Sequence, residues 1–189
     1  MSIPPAKIPP GKTIRRVLVL HPRLPTPPTD QEIDVMARTL WGEARGEPYT
    51  GIVAVAWVIL NRARADVGGD GKPDWWGEGI LGVCCKPWQF SCWNENDPNR
   101  AKMLALKEGD WTFDRMRFVA RQTAQLAFDG DTGERDAAGG ERARRHVDPT
   151  DGAVAYLTSK LLATAPPKWA LGRTPCCTIG AHAFFKEVF

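Results

Sequence analysis

The residue in this chain best suited to chemistry is Glu43, in the stretch TLWGEARGEPYTGIVAVAWVILNR at residues 39–62. It lies where a short apolar segment ends, before an Ala-Arg-Gly-Glu-Pro turn and a second, almost wholly apolar segment. A carboxyl group at the wall of a cleft with apolar chain behind it is harder to ionise. It can then donate a proton to a leaving oxygen near neutral pH, as cleavage of a glycosidic bond requires. Glu47, four residues on, is the second candidate acid, and its place in the turn also suits a carboxylate paired with Arg45 or a backbone amide. Asp74, Glu95 and Asp97 supply further carboxylates, but no spacing singles one out.

The elements that must position Glu43 are legible. Thr29-Asp30-Gln31-Glu32 fits a capping box. Ile33, Met36, Ala37, Leu40 and Trp41 then follow at the spacing of one helical face, which brings Glu43 to the last turn of that helix or just past it. Gly42 and Gly46 suit a helix end and turn, and Pro48 blocks continuation. The next helix, expected over residues 51–65, is apolar nearly all round and so belongs at the centre of its domain. Residues 66–93 read as a glycine-rich loop holding Trp75, Trp76, Trp88 and Trp93. Asp97-Pro98 predicts a helix to about Glu108, and Asp114 a cap for another with Met116, Val119, Ala120, Thr123 and Ala127 inward. Residues 130–145 (GDTGERDAAGGERARR) read as a charged surface loop, and residues 148–152 (DPTDG) as a turn.

The length of 189 residues suits one domain, and 43% hydrophobic with 25% charged residues is a globular composition. The prolines of residues 1–28 exclude a helix there, so this segment is expected as a basic, extended tail, with one short edge strand at residues 17–20. The domain proper is expected over residues 29–189. The net charge of +3 owes much to Lys7, Lys12, Arg15, Arg16 and Arg23 in that tail, which suits an anionic partner or plain solvation. No apolar run reaches the ~20 residues of a membrane span, so no stable insertion is expected. The run after Arg16 is too short for a secretory signal of about 7–15 apolar residues.

Cys84, Cys85, Cys92, Cys176 and Cys177 form two vicinal pairs and a single thiol, unlike the C-x2-C spacing of common zinc sites. Reduced thiols, a bridge between the pairs, and a metal module with His182 all remain open. Cys92 with His182 or His146 could serve a peptidase, without a motif to support it.

GEARGEPYTGIVAVAWVILNRAR resembles the signature of the spore-cortex-lytic type of cell-wall hydrolase, a family that includes germination enzymes and phage or prophage lysins. The likeness continues in ILGVCCKPWQFSCWNE at residues 80–95. It is weaker in DPTDGAVAY at residues 148–156, in Lys168-Trp169 and around His182. The resemblance implies a mainly α, small lysozyme-like (lytic-transglycosylase-like) domain with a buried central helix and little or no β-sheet. It also implies action on the glycan strands of peptidoglycan with no cofactor, no metal and no nucleic acid, by a monomer. On that resemblance Glu43 matches the general acid and Glu47 the second motif glutamate. Gln89, Phe90 and Trp93 match a loop bordering the cleft, Trp88 being a weaker candidate beside them, and Tyr156 and His182 match positions in the weaker blocks. With one strong acid, a lytic transglycosylase fits better than the paired carboxylates of most glycosidases, though a muramidase remains open. A chain made in the cytoplasm and released to the wall, as a phage endolysin is, suits the missing signal. A non-catalytic wall-binding or virion structural protein on the same fold is the alternative.

Overall fold

The computed structural model describes residues 18–67, 69, 71–72, 75–130 and 148–186. The first seventeen residues, Asp74, His146 and all but Gly130 of the expected charged loop lie outside the described residues. The elements, in chain order, are β1 (Val19–Leu20), α1 (Asp30–Ala44), α2 (Tyr49–Ala63), β2 (Ala65–Asp66), α3 (Gly79–Cys85), a 3-10 turn (Ser91–Trp93) and α4 (Arg100–Leu104). They continue with α5 (Trp111–Asp129), β3 (Ala155–Thr158), α6 (Ser159–Thr164), a second 3-10 turn (Lys168–Ala170), β4 (Cys177–Ile179) and β5 (His182–Phe185). The fold is mainly helical, as expected, with two small sheets.

The capping box opens α1: Glu32 N donates to Thr29 Oγ1 at 3.2 Å and Thr29 N to Glu32 Oε2 at 2.9 Å. The inward face of α1 then meets α2 and α5, and every residue from Ala54 to Asn61 in α2 is buried. A helix apolar on all sides loses least by lying where every side is covered. α2 starts at Tyr49, with Pro48 as its N-cap, earlier than the sequence suggested. Proline's fixed φ suits a helix start.

Four expectations are corrected. The run after Asp97 coils only over Arg100–Leu104, since Asp97 Oδ1 accepts from Asn99 N and spends the first residues on a local turn. α5 begins at Trp111, so Asp114 lies within its first turn, where it accepts from Gly109 N. The loop-rich stretch after Asp66 contains the short helix α3. Gly42 sits inside α1, where a Cβ would come within 2.4 Å of Cys92 Cβ, so its absence lets the Ser91–Trp93 turn lie against the helix.

The strand expected near residues 17–20 appears as β1, paired antiparallel with β2. Leu24 beyond it joins the core, and its N–H donates to Ala127 O at 2.9 Å, so the end of the proline-rich segment packs on the domain.

The larger sheet runs β3-β5-β4, all antiparallel, with Tyr156 opposite Phe184 and Thr158 opposite His182. Alternation along the strands sorts its two faces. Tyr156 and Phe184 pack toward the helical core, while Leu157, Ala183 and Phe185 build a satellite cluster with Ala170. Gly180 and Ala181 make the two-residue β4–β5 turn, with Gly180 at φ +60 in the position glycine favours in such hairpins. The 148–152 turn is tied to the end of α2 by Asn61, whose Nδ2 donates to Asp148 Oδ2 at 2.8 Å and to Ala153 O at 2.9 Å. That anchor sets where β3, and therefore Tyr156, begins.

Candidate active site

Glu43 projects from the last turn of α1 into a cavity of about 370 Å³ that Cys92, Asp97, Asn99, Tyr156, Thr158 and His182 also line. Its two oxygens are treated differently. Oε2 accepts from the Tyr156 hydroxyl at 3.1 Å. Oε1 is buried, and among the described residues no nitrogen or oxygen reaches it. Buried polar atoms are nearly always satisfied, so an orphaned oxygen on a carboxyl group that lines a cavity stands out.

Tyr156 stays a neutral phenol here and donates to the carboxyl group. Burial first, and then the neighbouring Glu43 charge, keep its phenol protonated well above the usual range. The Cys92 thiol beside the carboxyl group is pushed up for the same two reasons in the same order, which makes it a neutral neighbour and a poor nucleophile. Arg62 brings the nearby positive charge. Its Nε donates to Val154 O at 2.7 Å, one terminal nitrogen donates to Gln89 Oε1 at 2.9 Å, and its guanidinium carbon lies 5.1 Å from the centroid of the Phe90 ring. Burial lowers its pKa, with Tyr156, Cys84 and Glu43 opposing, yet a guanidinium keeps its charge at any physiological pH.

Glu47 does separate work. Its Oε2 accepts from Ala181 N at 2.9 Å and so holds the β4–β5 turn against the start of α2. A Cβ on Gly180 would fall 2.1 Å from that oxygen and push the Glu47 carboxylate away, and the φ of +60 there itself favours glycine. Arg45, the other partner expected for Glu47, instead donates to Trp41 O, Gly42 O and Asn99 Oδ1. His182 Nδ1 lies 3.6 Å from Glu47 Oε1, too far for a hydrogen bond. Burial lowers the His182 pKa more than the Glu47 and Glu43 charges raise it, so the ring is neutral at pH 7 and the pair is no salt bridge. Its ring meets Tyr156 edge-on, centroids 5.0 Å apart. Glu47 therefore reaches Glu43 through a chain of contacts: turn, His182, Tyr156.

Tyr156 also lines a second cavity of about 910 Å³, whose other walls include Trp75, Trp76, Trp88, Gln89 and Trp169. Tyr156 is common to both cavities, so they lie next to each other. Of the residues expected to face sugar, Gln89 lines the larger cavity, His182 the smaller and Tyr156 both. Phe90 and Trp93 line neither. Phe90 is 2% exposed in the core, and Trp93 packs against that core with its Nε1 donating to Thr39 Oγ1 at 2.9 Å. Trp169 was visible only as part of a weak motif, and Trp75 and Trp76 only as loop residues. Their convergence needs the fold. A glycine-first two-residue turn between apolar runs was the signal that could have revealed the β4–β5 hairpin. The five cysteines are free thiols, and no group of three metal-ligating side chains occurs among the described residues.

The description Cell Wall Hydrolase matches residues 46–185 of this chain. Glu43 lies just ahead of that span. The chain is 31% identical to a spore cortex-lytic enzyme of Halalkalibacterium halodurans over 82% of this chain and 35% of that protein. It is 30% identical to one of Bacillus cereus over 84% of this chain and 45% of that protein. The chain thus spans less than half the length of these relatives. Among solved structures it resembles the catalytic domain of the Bacillus cereus SleB protein, with TM-score 0.55 and 26% identity over 86% of this chain and 95% of that one. It is similar also to the catalytic domain of the germination-specific lytic transglycosylase SleB from Bacillus anthracis, with TM-score 0.54 over 86% of this chain and 99% of that one.

Proposed function

We propose, from the premise that this chain belongs to the cell wall hydrolase family, that it cleaves the glycan strands of peptidoglycan as a lytic transglycosylase with Glu43 as acid and then base. The observation that carries the reading is the carboxyl group at the wall of the smaller cavity, with Oε2 accepting from Tyr156 and Oε1 buried with no nitrogen or oxygen partner among the described residues. In the acid form, the carboxyl group of Glu43 holds a proton for the bridging oxygen between two sugars. Its transfer breaks the C1–O bond. The resulting carboxylate then takes the proton from the C6 hydroxyl of the muramic acid, whose oxygen closes on C1 to form the 1,6-anhydro ring. No water and no enzyme nucleophile enter, and the proton taken from the C6 hydroxyl restores the acid for the next turnover. Arg62 supplies positive charge near Glu43 in the intermediate stage, when its side chain is anionic.

Asp97 lines the same cavity and favours a second reading, hydrolysis by paired carboxylates. The ends left on digested sacculi separate the two. Mass spectrometry should find anhydro-muramic ends, and reducing muramic ends would mean hydrolysis. General acid catalysis contributes roughly 10²–10⁴ in rate, so Glu43→Gln should lower muropeptide release at least about a hundredfold in a folded protein. Near-normal release would remove Glu43 from this role. On this reading the place of action is the bacterial wall. An endolysin setting extends the proposal: purified protein should clear permeabilised cells from outside, and cells that stay turbid would oppose it.

A further inference from the structure

Trp88 is costly to the fold and is not used by it. Lys86 O accepts from Gln89 N at 3.2 Å, closing a turn with Pro87 second and Trp88 third. Trp88 has φ +69, which in a turn of this form is the place for glycine or asparagine. A bulky residue there is strained by its own Cβ. The turn cannot relax, because Gln89 is fixed on both sides: its Nε2 donates to Trp76 O at 3.0 Å and its Oε1 accepts from Arg62. Packing returns nothing for this strain, since the side chain is 89% exposed. Strain held at a site that gives the fold no contact points to a function outside the fold.

What the ring lines is the larger of the two cavities, with Trp75 and Trp169 on its other walls, about 40% and 36% exposed. That cavity is more than twice the volume of the one holding Glu43, about 910 against 370 Å³, and Tyr156 belongs to both. A strand that lies at Glu43 and extends past Tyr156 would run over this aromatic floor. The apolar C–H faces of pyranose rings suit an indole, which offers broad contact area with little side-chain entropy to lose.

From this we infer that Trp88 is the outer stacking platform of the cleft, binding a sugar of the glycan strand beyond the pair at the scissile bond. The inference rests on the two cavities being the glycan cleft of the function proposed above. Its consequence is that strand recognition is lopsided, with most of it on the tryptophan side of Glu43.

Trp88→Gly tests it, because glycine suits the turn and removes only the ring. The melting temperature should be unchanged or higher. KM for long glycan strands should rise about tenfold, the loss expected for an exposed aromatic anchor, with a much smaller change in kcat. Trp111→Ala, which removes another exposed tryptophan on α5 far along the chain, should leave KM alone. Placed in the Glu43→Gln chain, Trp88→Gly should also weaken binding of purified strands about tenfold, so the cleft is tested even where no bond is cut. If the unsubstituted protein binds strands through Trp88 but releases nothing, the catalytic reading fails and this one stands. A KM or strand affinity within twofold of the parent, or a fall in melting temperature that shows the ring props the fold, would overturn it.

Discussion

Tyr156→Phe is the sharpest probe of the site, because it removes one oxygen and keeps the ring that packs on His182 and Phe184. The lost contact is the hydroxyl donated to Glu43 Oε2 at 3.1 Å. Hydrogen bonds to a charged partner are worth about 1.5–3 kcal/mol. This one is longer than the usual ~2.7–2.8 Å for an O–H donor, which argues for the lower end, about 1.5 kcal/mol. If that bond steadies the carboxylate form that follows proton transfer, kcat should drop roughly tenfold. The assay is the initial rate of anhydro-muropeptide release from purified sacculi at saturating substrate, with KM recorded alongside. Stability gives an independent reading. The substitution leaves a part-buried carboxylate oxygen without its donor, so the melting temperature should fall, at about 2–4 °C per kcal/mol for a chain of this size. A double-mutant cycle with Glu43→Gln should show the two side chains to be coupled in stability. A Tyr156→Phe protein with kcat within twofold of the parent would refute the claim that the hydroxyl positions and stabilises the acid.

Three further outcomes follow from neighbouring contacts. Glu47→Ala removes the acceptor for Ala181 N, so stability should fall by about 1–3 kcal/mol in denaturant titration, with a loss of activity smaller than that of Glu43→Gln. Equal losses of activity would mean that Glu47 shares the chemistry. Gly42→Ala drives a Cβ to within 2.4 Å of Cys92 Cβ and should cost about 1–3 kcal/mol by overpacking. Adding Cys92→Gly should return part of that, and no return would place the strain elsewhere. For His182, burial lowers the folded pKa below the unfolded value, so the unfolded chain binds more protons. Its contribution is fully present above the ordinary histidine pKa of about 6.5 and is lost as pH falls through that value toward the folded one, by at most about 1.4 kcal/mol per pH unit. Denaturation at pH 7.5 and 5.5 should show a smaller acid loss in His182→Gln than in the parent, and equal losses would assign the effect to other groups.

The helical frame was legible because its signals are local. Thr29 and Glu32 close the capping box within four residues, the apolar spacing of α1 fixes Glu43 near its end, and the all-apolar α2 has no stable place except the centre. Local signals also misled. Asp97 and Asp114 look like helix caps in sequence, but the Asp97 side chain turns its own loop and Asp110 opens α5. Phe90 and Trp93 looked like groove walls from their motif alone. Which face of a short turn meets the core depends on what packs over it, and here Gly42 draws that turn inward.

The sequence by itself determined the candidate acid, the helix that ends at it and the buried helix behind it, since caps and periodicity act over one or two turns of chain. Only the tertiary structure decided what the acid touches. Tyr156 comes to Glu43 from 113 residues away, Glu47 turns out to hold a hairpin, and tryptophans from separate loops converge on one cavity. Those contacts are set by sheet register and by anchors such as Asn61 to Asp148, which depend on distant segments meeting and leave no periodic trace in the chain.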